Sequence, residues 1–166
     1  TMENILFHNL VERLEGSPSE TCAVIVIGVV RLAETNSTLG YEAGDSMILE
    51  ISRRLSVAIG KDDILGRLGG DTFGMLVDGA SRAEMEKITA RLEGQFEEPI
   101  PILDFELAVD LRFGISFHDV DENGEQLIHQ AEVAEFKARD GGRHWYIFDP
   151  ENDVVDPEQL LLIGEM

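Results

Sequence analysis

The sequence predicts an α+β sandwich in which a central, mainly antiparallel β-sheet is flanked by helices. A near-continuous β-branched run from Cys22 to Val30 is typical of a central strand covered on both faces. Two short apolar runs around Gly69-Gly70-Asp71-Thr72 predict a β-hairpin over residues 64–77. The full order of patterns is helix, strand, helix, helix, hairpin, helix, two strands, helix and strand, which indicates this sandwich.

Helices in the first part of the chain are predicted from apolar residues at helical spacing. One covers residues 2–14 and is ended by Gly16. The clearest covers residues 43–59, and Gly60 closes it. The motif Ser81-Arg82-Ala83-Glu84 predicts a capping box at the start of a third helix, which ends before Pro99.

The second part of the chain predicts two strands, over residues 102–107 and 109–118, then a turn at residues 121–124. A helical pattern runs on to Asp140, Gly141-Gly142 breaks it, and residues 145–148 predict a short strand. Asp156-Pro157 is typical of a helix start. The apolar segment after it, residues 160–163, either docks on this domain or begins a helix that leads into a second one.

Composition limits the classes of function. The chain has 166 residues, which suits one domain, and a formal net charge of -20. Such acidity argues against nucleic acids and anionic membrane surfaces as partners. The single Cys22 cannot form an internal disulfide, and the N-terminus lacks a signal-peptide pattern, so a cytoplasmic location is expected.

The predicted hairpin is the first candidate site. Its paired glycines, Gly69 and Gly70, are expected to supply the positive φ angles of a tight turn and to let backbone amides approach a ligand. Asp71 would then lie at the tip of a rigid scaffold, where its carboxylate can face a metal ion or a hydroxyl. The alternative is an ordinary surface hairpin built from common turn residues.

Four segments of the chain match the motifs of one protein family. Residues 67–73 (RLGGDTF) resemble an R-x-G-G-D-E-F signature, and residues 36–45 resemble N-D-x-x-G-H-x-x-G-D. Residues 113–116 resemble part of S-I-G-x-A, and residues 131–143 resemble A-x-x-A-L-Y-x-A-K-x-x-G-R. Together the four segments resemble the GGDEF domain family of diguanylate cyclases and their inactive relatives. The resemblance implies a palm-like fold, a domain over residues 1–150, and a linker or helix over residues 151–166 before a following domain of EAL type.

The resemblance also implies a reaction, in which two GTP condense to cyclic di-GMP across a dimer. Metal ions neutralise charge as a ribose hydroxyl attacks an α-phosphate. The family places carboxylate ligands at the positions of Gly28 and Thr72, and both are lost here. Asp71 is the catalytic carboxylate that remains. Glycine interrupts the first predicted strand at position 28, which marks either the close approach of another group or simply a missing side chain.

The resemblance implies guanine recognition by Asn36 and Asp45. The alternatives are a turn residue for Asn36 and a helix N-cap for Asp45. It further implies phosphate contacts from Arg139 and Arg143, four residues apart at a helix end, where basic residues also suit the helix dipole. The backbone at Gly69 and Gly70 completes this predicted nucleotide site.

The family's inhibitory site is an R-x-x-D motif before the signature. Here Asp63 is kept, but Gly60 replaces the arginine, so product inhibition through this site is not expected. Lys61 or Arg67 could compensate in part.

The sequence therefore favours a degenerate GGDEF domain with a regulatory or dimerisation role. Its expected partners are a second copy of the chain or an adjacent EAL-type domain. No cofactor is expected to be required, with Mg²⁺ entering only if GTP binds. The alternative hypothesis is an active diguanylate cyclase with an atypical metal site built from Asp71 and neighbouring carboxylates.

Overall fold

A five-stranded β-sheet organises the fold in a computed structural model, which describes residues 23–60, 63–77, 81–117, 124–151 and 153. In chain order the elements are β1 (Ala23–Val29), α1 (Leu32–Leu39), α2 (Tyr41–Ala58), β2 (Ile64–Arg67), β3 (Thr72–Val77), α3 (Arg82–Gly94), β4 (Ile100–Ile102), β5 (Phe105–Leu107), β6 (Leu111–Phe117), α4 (Gly124–Asp140) and β7 (Trp145–Ile147). None of the helices in these ranges is long and apolar enough to span a bilayer.

The strand order confirms the predicted fold class. The sheet runs β2-β3-β1-β6-β7, and β1 pairs antiparallel with both β3 and β6. The edge strand β7 is parallel to β6. Every residue of β1 is buried, as its unbroken apolar sequence predicts for a central strand.

Helices cover both faces of the sheet. Ile25 and Ile27 of β1 point to one face, where they join a core with residues of α2 and α3 such as Ile51 and Leu92. Val26, on the other face, packs with Ala131 of α4. Because side chains alternate along a strand, the first face takes the odd-numbered residues of β1 and the second takes the even-numbered ones, including Gly28.

Three local predictions are wrong. Residues 102–107 form no single strand: β4 and β5 make a separate two-stranded hairpin, whose turn includes Leu103 at φ 56°. Ser81 does precede α3, but its hydroxyl donates to the Glu84 carboxylate rather than accepting a backbone N–H, so the capping box is not formed.

The third wrong prediction concerns the glycine pair of the β2–β3 hairpin. Neither Gly69 nor Gly70 has a positive φ; within the described ranges the glycines that do are Gly40 and Gly142. The connection spans residues 68–71, longer than a two-residue turn, and the extra length lets it close without left-handed backbone. A Cβ at Gly70 would meet nothing within 4 Å, so the turn itself does not require glycine there.

Several predictions lie outside the described residues: the helix over residues 2–14, most of the turn at residues 121–124, and the segment from Asp156 to residue 163. Asp153 is described, and it is buried against the domain. Its carboxylate accepts hydrogen bonds from Lys137 and from the Tyr146 hydroxyl, the latter at 3.1 Å. Asp153 thereby ties the chain after β7 to α4.

Candidate functional site

The β2–β3 loop holds Asp71 in a fixed place beside the end of β1. The Val29 N–H donates to the Asp71 carbonyl oxygen at 2.8 Å. Arg67 folds back over the loop, and its guanidinium donates to the carbonyl oxygens of Gly69 and Gly70 at 2.9 and 2.7 Å. The loop backbone is therefore tied down on both sides, and the Asp71 side chain, about half exposed, projects from it.

A cleft of about 360 Å³ lies between this loop and the first two helices. Four predicted site residues line it, together with Arg67 and residues of α1 and α2: Asn36, Asp45, Gly70 and Asp71. Asn36 lies within α1 and Asp45 within α2, whose N-cap position is Gly40. The turn and N-cap alternatives for these two side chains are therefore wrong.

Gly44 allows the Asn36 side chain to lie across α2. A Cβ at position 44 would overlap the Asn36 Oδ1 atom and come within 2.8 Å of its Cγ. Asn36 and the exposed Asp45 thus face the same cleft from adjacent helices. An amide beside a carboxylate offers both donors and acceptors, which is what the edge of a guanine base requires.

Beyond this cleft, Gly28 lies between Thr72 of β3 and Arg112 of β6 as their direct cross-strand partner. Helix α4 crosses this face of the sheet. A Cβ on Gly28 would overlap Glu135 Oε1 and Arg139 Nη2 and would be 2.8 Å from Glu135 Cδ. Of the two interpretations of this glycine, the close approach of another group is therefore confirmed.

Glu135 and Arg139 form an ion pair one helical turn apart. Arg139 Nε donates to Glu135 Oε1 at 3.0 Å, and Nη2 lies 2.7 Å from the same oxygen. On its other side, Arg139 Nη1 is 3.8 Å from Asp71 Oδ2. The guanidinium is thus placed between two carboxylates, one from α4 and one from the hairpin.

Burial makes Glu135 an unusual carboxylate. Its residue is 8% exposed. Burial raises the pKa of Glu135, and the positive charge of Arg139 opposes that rise. The charge of Asp71 also raises this pKa, while that of Arg112 lowers it, so three neighbouring charges act on Glu135.

These residues do not fit a magnesium site. Mg²⁺ requires oxygen ligands in near-octahedral geometry. Gly28 supplies no side chain, Thr72 supplies only a neutral hydroxyl, and the carboxylates of Asp71 and Glu135 face a guanidinium. Within the described ranges, no group of three or more His, Cys, Asp or Glu side chains could hold a metal ion.

The two predicted phosphate-binding arginines are separated. Arg139 lies on α4 beside Asp71, whereas Arg143 follows the end of that helix, which is at Asp140 as predicted. The Arg143 guanidinium lies 5.8 Å from the centroid of the Tyr146 ring, and Arg143 is not among the residues that line the cleft.

Asp63 has a structural contact at the end of α2. Its Oδ2 accepts a hydrogen bond from the Gly60 N–H at 2.9 Å, which closes the loop after the helix. Asp63 is not among the residues that line the cleft.

Glu135 is the site residue that the sequence interpretation missed. It stands where the A-x-x-A-L-Y pattern has leucine, on a helix face otherwise made of Ala131, Ala134 and Ala138. A carboxylate within such an apolar face is the signal that could have identified it.

Comparison with known proteins assigns the chain to a protein family. The sequence model described as "Diguanylate cyclase, GGDEF domain" matches residues 3–144. The chain belongs to the GGDEF domain family. The structure of the GGDEF domain of TpbB from Pseudomonas aeruginosa superposes on it with a TM-score of 0.82 and 27% identity, over 95% of this chain and 93% of that one.

Two curated relatives are much longer than this GGDEF domain. An uncharacterized signaling protein from Caulobacter vibrioides is 33% identical over 83% of this chain and 17% of its own length. The bifunctional diguanylate cyclase/cyclic di-GMP phosphodiesterase MucR from Pseudomonas aeruginosa is 25% identical over 87% of this chain and 21% of its own length. This chain therefore spans about a fifth of these relatives.

Proposed function

We propose that this chain is a catalytically impaired GGDEF domain with a regulatory or dimerisation role in cyclic di-GMP signalling. The observation that carries the proposal is the set of side chains around Gly28. Two of the three carboxylate positions implied by the family are Gly28 and Thr72, and the space above Gly28 is filled by the Glu135–Arg139 pair.

The size of the metal contribution supports a large loss of activity. Metal assistance is worth several kcal/mol of transition-state stabilisation. Each ~1.4 kcal/mol corresponds to a factor of ten in rate. A domain without this assistance should therefore be slower by roughly a thousandfold or more.

A cyclase assay tests the proposal. The purified protein is incubated with GTP and either Mg²⁺ or Mn²⁺, and products are separated by liquid chromatography, with an active diguanylate cyclase as positive control. We expect no cyclic di-GMP above a blank without protein. The rival hypothesis of an active cyclase draws on the placement of two carboxylates, Asp71 and Glu135, on either side of one cation. Product that disappears in an Asp71→Asn variant would establish that rival.

We further infer that the cleft still binds a guanine nucleotide weakly. Asp45 and Asn36 face it together, and a carboxylate can accept both the N1 and N2 hydrogens of guanine. ATP lacks that pair of donors. GTP at millimolar concentration should therefore raise the melting temperature more than ATP does.

The Asp45→Asn variant separates base recognition from nonspecific anion binding. We expect it to lose the preference for GTP over ATP, because an amide oxygen and NH₂ cannot both accept hydrogens. Asp104→Asn, on the exposed β4–β5 turn, is the matched control and should keep the preference. Equal shifts with GTP and ATP in the unaltered protein would contradict guanine recognition and leave the regulatory role standing.

The regulatory role is supported by the size of the relatives. MucR carries both a cyclase and a phosphodiesterase in its name, and this chain matches 21% of it. We propose that the domain acts beside an EAL-type domain or as a homodimer. Light scattering coupled to size-exclusion chromatography measures the second: a purely monomeric domain at 100 μM would contradict homodimerisation of this part.

A further inference from the structure

The region above Gly28 contains a cation of its own. Arg139 contributes a permanent positive charge, because a guanidinium does not lose its proton in proteins. Two of its nitrogens contact Glu135 Oε1 at 2.7 and 3.0 Å, and the third faces Asp71 Oδ2 at 3.8 Å. Both carboxylates therefore direct an oxygen at the same positive group.

Burial explains why this arrangement is held in place. A buried carboxylate without a partner is costly, and removing one member of a buried pair leaves the other uncompensated. Glu135 is 8% exposed, whereas the Arg139 side chain is 35% exposed. The buried charge of Glu135 is therefore compensated by Arg139. In turn, Glu135 keeps the Arg139 guanidinium against the sheet at Gly28 rather than out in solvent.

The absence of a side chain at position 28 belongs to the same arrangement. The ideal Cβ position at Gly28 overlaps Glu135 Oε1 and Arg139 Nη2. Any side chain there, an aspartate included, meets the ends of both side chains, which must shift to admit it. On β6 the cross-strand neighbour of Gly28 is Arg112, a second positive charge that acts on Glu135.

We propose that the Arg139 guanidinium, clamped by Glu135 and Asp71, is the resident cation of this site and excludes a divalent metal even from a chain whose missing carboxylates are restored. The proposal rests on the proposed function in one respect, that the catalytic impairment is centred on Gly28. It adds that two substitutions, Gly28→Asp and Thr72→Glu, do not restore a metal site, because Glu135 still holds the positive charge of Arg139 beside the restored carboxylates. A third substitution, Glu135→Leu, releases Arg139 and opens the space.

Metal binding, not activity, tests this proposal. Free Mn²⁺ is measured by electron paramagnetic resonance while the metal alone is titrated into the double variant Gly28→Asp/Thr72→Glu and into the triple variant that also carries Glu135→Leu. We expect the triple variant to bind Mn²⁺ at least tenfold more tightly than the double. Glu135→Leu alone is the control and should bind no more Mn²⁺ than the unaltered protein. Equal Mn²⁺ affinity of the double and triple variants overturns the proposal.

A second measurement uses the unaltered chain and does not depend on the folding of multiple variants. In a ¹⁵N-labelled sample, the Arg139 Nε–H resonance is assigned by its loss in Arg139→Lys. We expect it to exchange with solvent at least tenfold more slowly than the Nε–H of Arg91, which is exposed on α3. Exchange as fast as that of Arg91 overturns the clamp. A positive cyclase assay, by contrast, would overturn the proposed function and leave this measurement unaffected.

Discussion

The carboxyl group of Glu135 titrates in surroundings that oppose its charge. Because burial raises its pKa in the folded state, folded protein binds this proton more tightly than unfolded protein does. The contribution of Glu135 to stability is therefore most favourable below the ordinary glutamate pKa and is lost as pH rises through the raised value. Glu135→Gln removes this titration, so its free energy of unfolding should improve relative to the unaltered protein as pH rises from about 4 to 7.

Urea unfolding at pH 4, 5.5 and 7, followed by fluorescence of the single tryptophan, Trp145, measures this difference. Glu132→Gln is a poor control because its pKa is also raised, chiefly by burial. Asp104→Asn on the exposed turn is suitable and should show a constant difference. If the free energy of unfolding of Glu135→Gln instead falls relative to the unaltered protein as pH rises, the charge of Arg139 has a larger effect than burial on the pKa of Glu135.

The contribution of Asp153 to stability should depend on pH in the opposite direction. Burial alone would raise its pKa, but hydrogen bonds from Lys137, the Asp149 N–H and Tyr146 lower it overall. A lowered pKa contributes stability above the ordinary aspartate value, and that stability is lost as pH falls through the folded value. Asp153→Asn should cost about 2–3 kcal/mol at pH 7, typical of charge-assisted hydrogen bonds, and the cost should shrink below pH 4. A cost that is the same at pH 7 and pH 3 would contradict this account.

The site could be predicted from sequence only where a motif fixes it. Asn36, Asp45, Gly70 and Asp71 do line one cleft, because their spacing within the motifs follows from the fold that those motifs specify. The Glu135–Arg139 pair could not be found in that way. The place of this pair in the site depends on Gly28, which is more than a hundred residues earlier in the chain. It also depends on how closely α4 packs on the sheet.

Helix α4 lies directly on strand β6, and Gly114 makes this possible. A Cβ at position 114 would overlap backbone atoms of Ala131 and Glu135 and come within 2.7 Å of the Glu135 Cα. Backbone cannot move aside as a flexible side chain can. Gly114→Ala should therefore destabilise the protein by about 1–3 kcal/mol or more, as overpacking does elsewhere.

Gly94→Ala is the matched control for this prediction. Gly94 is the last residue of α3, and a Cβ there would meet nothing within 4 Å. Alanine favours helix by about 0.5–1 kcal/mol over glycine, so this variant should be neutral or slightly stabilised. Urea midpoints of the two variants provide the test. A Gly114→Ala variant as stable as Gly94→Ala would show that α4 can shift away from the sheet at low cost.

Elements were predictable where one strong pattern decided them. The run from Ala23 to Val29 predicts a central strand because only a strand covered on both faces tolerates such continuous apolar sequence. The β4–β5 hairpin was missed because its strands are three residues long and its turn carries Leu103 at positive φ, which leucine rarely adopts. The glycine pair predicted a tighter turn than the four-residue connection contains.

The whole molecule carries far more negative than positive charge, with 33 acidic residues against 13 basic ones. Net charge of this size destabilises a compact state through self-repulsion, and salt screens charges separated by more than about 8–10 Å at ionic strengths of 0.1–0.15 M. Raising NaCl from 10 to 300 mM should therefore increase the melting temperature. A gain of about 1–2 kcal/mol corresponds to roughly 2–8 °C for a chain of this length.

Choline chloride at equal ionic strength should give the same increase, because screening depends on ionic strength rather than on which cation is present. An unchanged melting temperature would contradict this account, because self-repulsion would then be no larger than the attraction, also screened by salt, of local pairs such as Glu50 with Arg53 and Arg54.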